Sequence, residues 1–257
     1  MADSVLDRGS RQASSSGSAA AAAALRGRES PDASGRSKIV YRLDDRSCLV
    51  QLVPTLSSFT HQRHEIVPGT AELRLDFFEA AASKLAQHGV RSVFRERVSD
   101  TSYLADWCPY LPFETIVKNV ACGSTIRKYP GLFDPGHRFQ QPVVKFDYRI
   151  DPEDQPLPDD YVVALGHRVD VLRRIALDVN GCLQTWLEPL VVLDFCLIFG
   201  FDDASGEYTI VSEISPDAMR IRDGNGAPLD KDLFREGAGA DAICSRWRSL
   251  VDAVRSE

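Results

Sequence analysis

Short apolar runs separated by polar turns dominate the first half of the chain and predict strands. Residues 38–41 and 48–53 are rich in β-branched side chains and flank a turn-forming segment, which predicts a β-hairpin. Further strands are predicted over residues 92–98, 113–120 and 142–150. The early chain therefore indicates a sheet built largely from consecutive strands.

Helical periodicity appears once among the early strands and twice later. Apolar residues recur at helical spacing over residues 70–88, and again over 161–187 after an acidic, proline-rich loop. A last helix is predicted over 231–254. Between the two later helices, residues 191–199 and 208–214 are apolar enough to form a buried hairpin.

The order of these elements predicts an α+β fold in two lobes. Residues 1–37 are rich in Ser, Ala, Gly and Arg and contain almost no bulky apolar side chains. Such a segment buries too little surface to offset the entropy lost on ordering, so it is expected to be disordered. A folded unit is expected over 38–257, with an N-terminal lobe over 38–120 and a C-terminal lobe over 121–257.

Composition narrows the classes of function. The chain has 257 residues and a formal net charge of −7, so it lacks the basic excess that nucleic-acid binding requires. No apolar run is long enough to span a bilayer, and no signal peptide is evident, so we expect no membrane partner and a cytoplasmic location. The six cysteines show no C-x-x-C spacing, which indicates reduced thiols and no metal site.

Several blocks of residues occur in the order found in a known ligase family. Gly-Arg-Ser-Lys-Ile-Val-Tyr at 35–41 is similar to a G-K-x-K-x-x-Y loop, and residues 112–124 are similar to P-x-E-x-V-V-R-N-x-A-A-G-S. The other blocks are residues 83–89, 98–101, 215–220 and 229–235. From Gly35 onward the chain thus resembles the SAICAR synthetase family, whose members join aspartate to a carboxyaminoimidazole ribonucleotide with ATP. The resemblance implies that family's two-lobed α+β fold, an antiparallel β lobe followed by an α/β lobe.

The resemblance also implies two binding regions. The substrate-binding positions are Lys118, Gly123, Ser124, Ser215 and Arg220. A 5′-phosphate needs hydroxyls, backbone N–H groups and cations, which these residue types supply. Lys118 stands where the family has an arginine, so it keeps the charge but loses the bidentate fork.

The second implied region is the nucleotide site. Its candidate residues are Arg36, Lys38 and Glu114. The two cations can neutralise a nucleotide phosphate, whereas exposed cations at a strand start are also common without any function. Glu114 corresponds to a family glutamate near the nucleotide, and it is equally compatible with a carboxylate on a strand face.

The chain departs from the family at its acidic positions. Ile198 and Ser212 replace the two carboxylates that bind magnesium in the family, and Cys196 replaces a lysine. Magnesium takes oxygen ligands, and isoleucine supplies none. The acids left nearby, Asp194, Glu213 and Asp217, are the candidates for general acid or base chemistry.

Three hypotheses follow. The leading one is a divergent SAICAR-synthetase-like enzyme that acts on a phosphoribosyl-imidazole or related purine precursor, in the biosynthesis of purine-derived nucleosides, with an impaired Mg-ATP site. The second is the parent ligation, which would add L-aspartate as a partner and ATP and magnesium as cofactors. The third is a non-catalytic nucleotide-binding protein. All three expect a phosphoribosyl nucleotide as partner and leave a homo-oligomer open.

Overall fold

The computed structural model describes residues 30–203 and 205–255 in strands, helices and connecting loops. In chain order the elements are β1 (Ala33–Ser34), β2 (Lys38–Arg42), β3 (Ser47–Leu52), β4 (Thr55–Ser58), β5 (Arg63–Ile66), α1 (Thr70–Gln87), β6 (Phe94–Arg97), β7 (Ser102–Asp106), β8 (Phe113–Val120), α2 (Ser124–Lys128), β9 (Arg138–Tyr148), β10 (Gln155–Leu157), α3 (Asp159–Ala164), α4 (Val169–Trp186), β11 (Val191–Leu197), β12 (Phe199–Asp202), β13 (Glu207–Ile210), β14 (Met219–Arg222), α5 (Asp232–Arg235) and α6 (Ala240–Arg255).

Two five-stranded antiparallel sheets organise the described residues. The first has the strand order β1-β2-β3-β7-β6, and the second has the order β10-β9-β8-β11-β14. Two hairpins, β4-β5 and β12-β13, stand outside these sheets. The mixture of antiparallel sheets and helices confirms the predicted α+β class.

The helices cover the sheets with buried aromatic residues. Helix α1 contacts α4 and α6, while α4 lies on β8, β9 and β11 of the second sheet. Phe77 of α1 meets Trp186 of α4 with ring centroids 5.3 Å apart. Phe78, on the next position of α1, packs edge-on against Tyr103 of the first sheet. Helix α1 therefore joins the cores of both sheets.

Several predicted elements are confirmed. The predicted early hairpin is the antiparallel pair β2-β3, with Val40 opposite Val50. Helix α1 and strand β8 have nearly the predicted bounds. The β4-β5 hairpin was not predicted, because its exposed strand Arg-His-Glu-Ile has no apolar alternation.

The boundaries predicted for the tail and the lobes are wrong in part. Ala33 and Ser34 form β1, which pairs with β2 because the backbone turns back at Gly35, whose N–H donates to the Lys38 carbonyl oxygen. Order therefore begins before Lys38, and the predicted disorder of residues 1–29 lies outside the described residues. Strand β8 belongs to the second sheet, so the sheets divide between Asp106 and Phe113 and not at residue 120.

Two predicted helices are each divided by glycine. The helix expected over 161–187 is split into α3 and α4, and Gly166 between them has φ +86°. The helix expected over 231–254 is split into α5 and α6, with Gly237 at φ +92° between them. These backbone angles end a right-handed helix, which apolar periodicity alone did not indicate.

The predicted hairpin of 191–199 with 208–214 is correct at its turn, where Phe199–Asp202 pairs with Glu207–Ile210, but wrong over most of its first strand. The apolar run forms two strands, β11 in the second sheet and β12 in its own hairpin with β13. At the break, the Ile198 N–H donates to Ser212 Oγ (2.9 Å) and the Ile198 carbonyl accepts from Val211 N–H (2.9 Å). These bonds hold residues 211 and 212 beside Ile198, where both line a cavity.

Among the described residues, no helix combines the length and apolar character needed to cross a bilayer.

Gly200→Ala is expected to destabilise the fold. A Cβ at Gly200 would lie 2.5 Å from Cys108 Sγ, 2.7 Å from Val211 Cγ1 and 3.0 Å from the Pro109 carbonyl oxygen. Such overpacking costs about 1–3 kcal/mol, which lowers Tm by about 2–12 °C for a chain of this size. The matched control is Gly181→Ala, in an exposed part of α4 with open space around the new methyl group. It should raise stability by up to about 1 kcal/mol. Equal Tm values for the two variants would contradict this account.

Candidate functional site

Two adjoining cavities lie beside the second sheet. The smaller has a volume of about 260 Å³ and lies between the β4-β5 hairpin and strands β8, β11 and β14. The larger has a volume of about 760 Å³ and lies between the first sheet and residues 198, 211 and 212. Ser57 and Asp217 border both cavities, so these two residues form part of a common wall.

The floor of the smaller cavity is a charge cluster built by strand register. In β11, Asp194 is directly opposite Lys118 of β8 on one side and Arg220 of β14 on the other. Lys118 Nζ lies 2.7 Å from Asp194 Oδ2, and Arg220 Nη1 lies 2.9 Å from the same oxygen. The second sheet thus brings together three predicted site residues that are far apart in sequence.

Asp194 is a buried anion held between two cations. It is only 4% exposed, and Lys118 only 2%. Burial alone would raise the pKa of Asp194, but the charges of Arg220 and Lys118 and their hydrogen bonds lower it below its usual value. Asp194 therefore stays ionised at neutral pH and serves to orient Lys118 and Arg220.

Gly123 is required by the position of Arg220. A Cβ at residue 123 would lie 2.6 Å from Arg220 Nη2, and its φ of +55° is a conformation that side chains disfavour. The Gly123 backbone therefore lies against the guanidinium. The resemblance implies that Gly123 binds substrate, whereas the space this glycine leaves is taken by Arg220 in this structure.

Helix α2 contributes further groups to the smaller cavity. Ser124 borders it as predicted, followed by Arg127 and Lys128. Arg127 Nη2 donates to Glu153 Oε1 at 2.6 Å, and Lys128 Nζ lies 3.7 Å from the same oxygen. Glu153 is 41% exposed. An accessible carboxylate thus satisfies two cations that could equally hold a phosphate.

The wall between the cavities contains a second buried anion. Glu213 Oε1 accepts from Arg74 Nε at 2.6 Å and from Ser215 Oγ at 3.1 Å, and Glu213 Oε2 lies 3.6 Å from Lys38 Nζ. Burial raises the pKa of Glu213, but Arg74 and Lys38 lower it below its usual value overall. Ser215 is fully buried and borders neither cavity, and its role in substrate binding stays a prediction.

Asp217 is the one predicted acid that borders both cavities among the described residues. Lys231 Nζ lies 2.8 Å from its Oδ1. Burial raises the pKa of Asp217, while Lys231 and Arg74 lower it below its usual value overall. With Asp194 and Glu213 also ionised, none of the three carboxylates stores a proton for general acid catalysis at neutral pH.

The larger cavity is apolar along one side and basic at one end. Its apolar lining consists of Val40, Val50, Val93, Tyr103, Ala105, Trp107, Tyr110, Ile198 and Val211. Arg36 and Lys38, both predicted, lie at its edge. Arg36 pairs with Asp151 at 3.1 Å. This composition suits a planar ring beside an anionic group.

Glu114 borders neither cavity. Its Oε1 lies 3.4 Å from Arg149 Nε, and Arg149 is the residue that reaches the larger cavity. Burial, followed by the charge of Asp154, raises the pKa of Glu114 above its usual value. Glu114 is thus placed to orient Arg149, and its role at a nucleotide site stays a prediction.

The donor groups around Ile198 and Ser212 do not fit a magnesium ion. Both residues line the larger cavity, and Ser212 Oγ is already used as an acceptor by the Ile198 N–H. The nearby carboxylates of Glu213 and Asp217 are paired with Arg74 and Lys231. Within residues 30–203 and 205–255, no group of three His, Cys, Asp or Glu side chains is arranged to hold a metal.

Some residues at the site were missed in the sequence. Arg74 lies in an otherwise ordinary amphipathic helix, and only its charge on the buried face could have drawn attention to it. Arg127 and Lys128 directly follow the Gly-Ser turn, so their position beside a predicted phosphate loop was a usable signal. The hairpin residues Ser57 to Thr60 gave no such signal.

Comparisons with known proteins agree on one family. Residues 32–251 match the family model described as SAICAR synthetase. Phosphoribosylaminoimidazole-succinocarboxamide synthase of Methanocaldococcus jannaschii is 30% identical over 235 residues, which cover 88% of this chain and 95% of that protein. The same-named protein of Halalkalibacterium halodurans is 33% identical over 214 residues, which cover 80% of this chain and 89% of that protein.

Solved structures show the same fold. A SAICAR synthetase in complex with ADP aligns with TM-score 0.80 at 24% identity, covering 88% of this chain and 97% of that one. Phosphoribosylaminoimidazole-succinocarboxamide synthase from Ehrlichia chaffeensis aligns with TM-score 0.82 at 20% identity, covering 89% of this chain and 99% of that one. At these identities the likeness concerns the fold alone.

Asp194→Asn is expected to reduce the free energy of unfolding by about 3–5 kcal/mol, because it leaves the buried Lys118 without its carboxylate partner and removes one of the two carboxylates that pair with Arg220. The folded-state pKa of Asp194 is lowered, so its contribution is present above about pH 4 and is lost as the pH falls below that value. Urea unfolding at pH 7 and at pH 3 should therefore show a smaller difference between variant and wild type at the lower pH. The control, Asp45→Asn, removes a carboxylate that is 98% exposed and should change little at either pH. A difference for Asp194→Asn that does not depend on pH would contradict the assignment of an ionised Asp194.

Proposed function

Because the chain belongs to the SAICAR synthetase family, a family of ligases, we propose that it is a divergent enzyme acting on a phosphoribosyl-imidazole or related purine-precursor nucleotide. We place its substrate in the smaller cavity and its altered chemistry at the wall between the two cavities. The setting we propose is the biosynthesis of purine-derived nucleosides, where an imidazole ribonucleotide is a starting material.

The observation that carries this proposal is the Lys118–Asp194–Arg220 cluster on the cavity floor. Asp194 fixes Lys118 and Arg220, and Asp232 also pairs with the Nε of Arg220, so both cations are already oriented and need little reorganisation to receive an anion. Gly123 and Ser124 lie at its edge, where backbone and hydroxyl donors complement a phosphate.

The phosphate of the substrate would replace Glu153 on Arg127 and Lys128. Five basic side chains and five carboxylates border the smaller cavity among the described residues, so a phosphate must take over cations that already have partners. Glu153 is the partner best suited to leave, because it is half-exposed and held only by α2 side chains. Its departure would free Arg127 and leave Lys128 with the Asp154 carbonyl oxygen as partner, at little desolvation cost.

An impaired Mg-ATP site is the second part of the proposal. Ile198 and Ser212 border the larger cavity where the family has carboxylates, and the remaining acids there are already paired. Phosphoryl transfer depends on cations that neutralise developing charge. Losing metal ligation would cost several kcal/mol of that stabilisation, or about three orders of magnitude in rate.

Asp217 is the acid best placed to act on substrate. It borders both cavities and is ionised, so it can accept a proton during hydrolysis, cyclisation or rearrangement of an imidazole ribonucleotide. Asp194 and Glu213 serve instead to position cations. Cys196, at the family's lysine position, borders the smaller cavity, and burial raises the pKa of its thiol well above the usual value. It therefore stays protonated and supplies neither charge nor a nucleophile.

A second candidate is the parent reaction, the ATP-dependent ligation of L-aspartate to carboxyaminoimidazole ribonucleotide. The names of the relatives favour it, as does the retention of Arg36 and Lys38 beside a cavity large enough for a nucleotide. A non-catalytic nucleotide-binding protein would retain the cavities without turnover.

Calorimetric titration of the purified full chain separates these functions. Aminoimidazole ribonucleotide and its carboxylated form are expected to release heat on binding, whereas Mg-ATP is expected to give none at the same concentration. Incubation with the ribonucleotide and analysis of products then distinguishes the enzyme from the non-catalytic protein. Heat from Mg-ATP together with formation of SAICAR would establish the parent reaction. No response to either ribonucleotide would remove the leading proposal.

Replacing Ile198 by Glu and Ser212 by Asp together is expected to raise Mg-ATP affinity by about tenfold or more, because two carboxylates then face the larger cavity. Isothermal titration of wild type and double variant measures the change. The control is Ile198→Gln with Ser212→Asn, which has similar shape without the added charge. Equal affinities in the two double variants would argue against a metal role for these positions.

A further inference from the structure

Arg74 is a buried cation that neither the sequence motifs nor the proposed chemistry uses. It lies on α1, and its side chain is completely inaccessible to solvent. Its Nε donates to Glu213 Oε1 at 2.6 Å. A fully buried arginine is rare in proteins, because removing its charge from water is costly unless its partners repay that cost.

The guanidinium joins three segments that border the larger cavity. Besides Glu213, it donates to the Val53 carbonyl oxygen at 3.1 Å and to the Ser37 carbonyl oxygen at 3.4 Å. Ser37 lies between the two cations Arg36 and Lys38 at the cavity edge, and Val53 N–H donates to the same Ser37 oxygen at 3.0 Å. Arg74 thus holds residues 36–38, which include the two cations, and the Glu213 carboxylate in one arrangement.

Three side-chain cations compensate the two carboxylates at the wall without any added ion. Arg74 and Lys38 neutralise Glu213, and Lys231 neutralises Asp217. The two carboxylates that would otherwise attract a divalent cation are therefore already compensated by protein side chains. A hard cation placed there would meet the positive charge of Arg74. The Glu213 oxygen without a hydrogen-bond partner, Oε2, lies 3.6 Å from Lys38 Nζ, so a cation there would also meet the charge of Lys38.

We propose that Arg74 is a positioning residue that acts as a built-in cation, taking the place of a divalent metal at the wall between the two cavities. It does so by holding Glu213 and, through the Ser37 carbonyl oxygen, the segment of residues 36–38 that leads into β2. The site then binds its anionic ligands with side-chain cations alone. This inference goes beyond the identity of the substrate, because it concerns the charge of the protein itself.

Manganese binding by the full chain, followed by the electron paramagnetic resonance signal of free Mn²⁺, tests the proposal. Wild type is expected to show no saturable binding below about 1 mM, because its carboxylates are compensated. Arg74→Met leaves Glu213 without its main partner and is expected to bind one Mn²⁺ at least about tenfold more tightly than wild type. Arg74→Lys retains the positive charge and should behave as wild type.

Two further variants serve as controls. Arg74→Met combined with Glu213→Gln removes the carboxylate as well and should lose the Mn²⁺ site again. Arg97→Met removes another ion-paired arginine, but Arg255 still lies 2.7 Å from the shared partner Asp76, so no Mn²⁺ site should appear. Circular dichroism and thermal unfolding report whether each variant is folded.

Three outcomes of the Mn²⁺ measurement would overturn the proposal. Saturable Mn²⁺ binding by wild type with Kd below about 100 μM overturns the proposal, whether or not any variant folds. A folded Arg74→Met protein that gains no Mn²⁺ site, or an equal gain in Arg97→Met, also overturns it. The measurement needs no substrate, so its failure is distinguishable from failure of the ribonucleotide titration.

Discussion

Neutralisation of buried charge is the constraint on which the site depends. Asp194, Glu213 and Asp217 are each removed from bulk water, and each is matched by side-chain cations within about ion-pair distance. A buried charge without a partner would cost free energy comparable to the whole free energy of unfolding of a domain. The two cavities are therefore possible only because the surrounding strands and loops supply lysine and arginine at matching positions.

Strand register is the means by which that matching is achieved on the cavity floor. Antiparallel pairing places Asp194 opposite Lys118 and Arg220 on its two sides, so one shift in register would separate all three. At the wall between the cavities, by contrast, the ion pairs join residues of a helix and of loops, such as Arg74 of α1 with Glu213. Arg74 reaches Glu213 across 139 positions of the chain, with no regular pairing to guide it. The floor is thus a property of the sheet, whereas the wall depends on tertiary packing.

This difference explains which parts of the fold and of the site could be predicted from the sequence. The floor residues stood in ordered blocks typical of the family, and the early hairpin, α1 and strand β8 followed from apolar periodicity. Arg74 could not be found in that way, because its role arises from a neighbour distant in sequence. The breaks at Gly166, Gly237 and Ile198 were also hidden, since a continuous apolar run gives no sign that its two halves join different partners.

Asp217 gives the two cavities a common boundary, and this has a thermodynamic consequence. A ligand that draws on this carboxylate from one side alters the field felt by a ligand on the other side. By linkage, each must then change the equilibrium affinity of the other by the same factor. The affinities of two such ligands would therefore be coupled, and a binding scheme that treats the two cavities as independent would misstate both affinities.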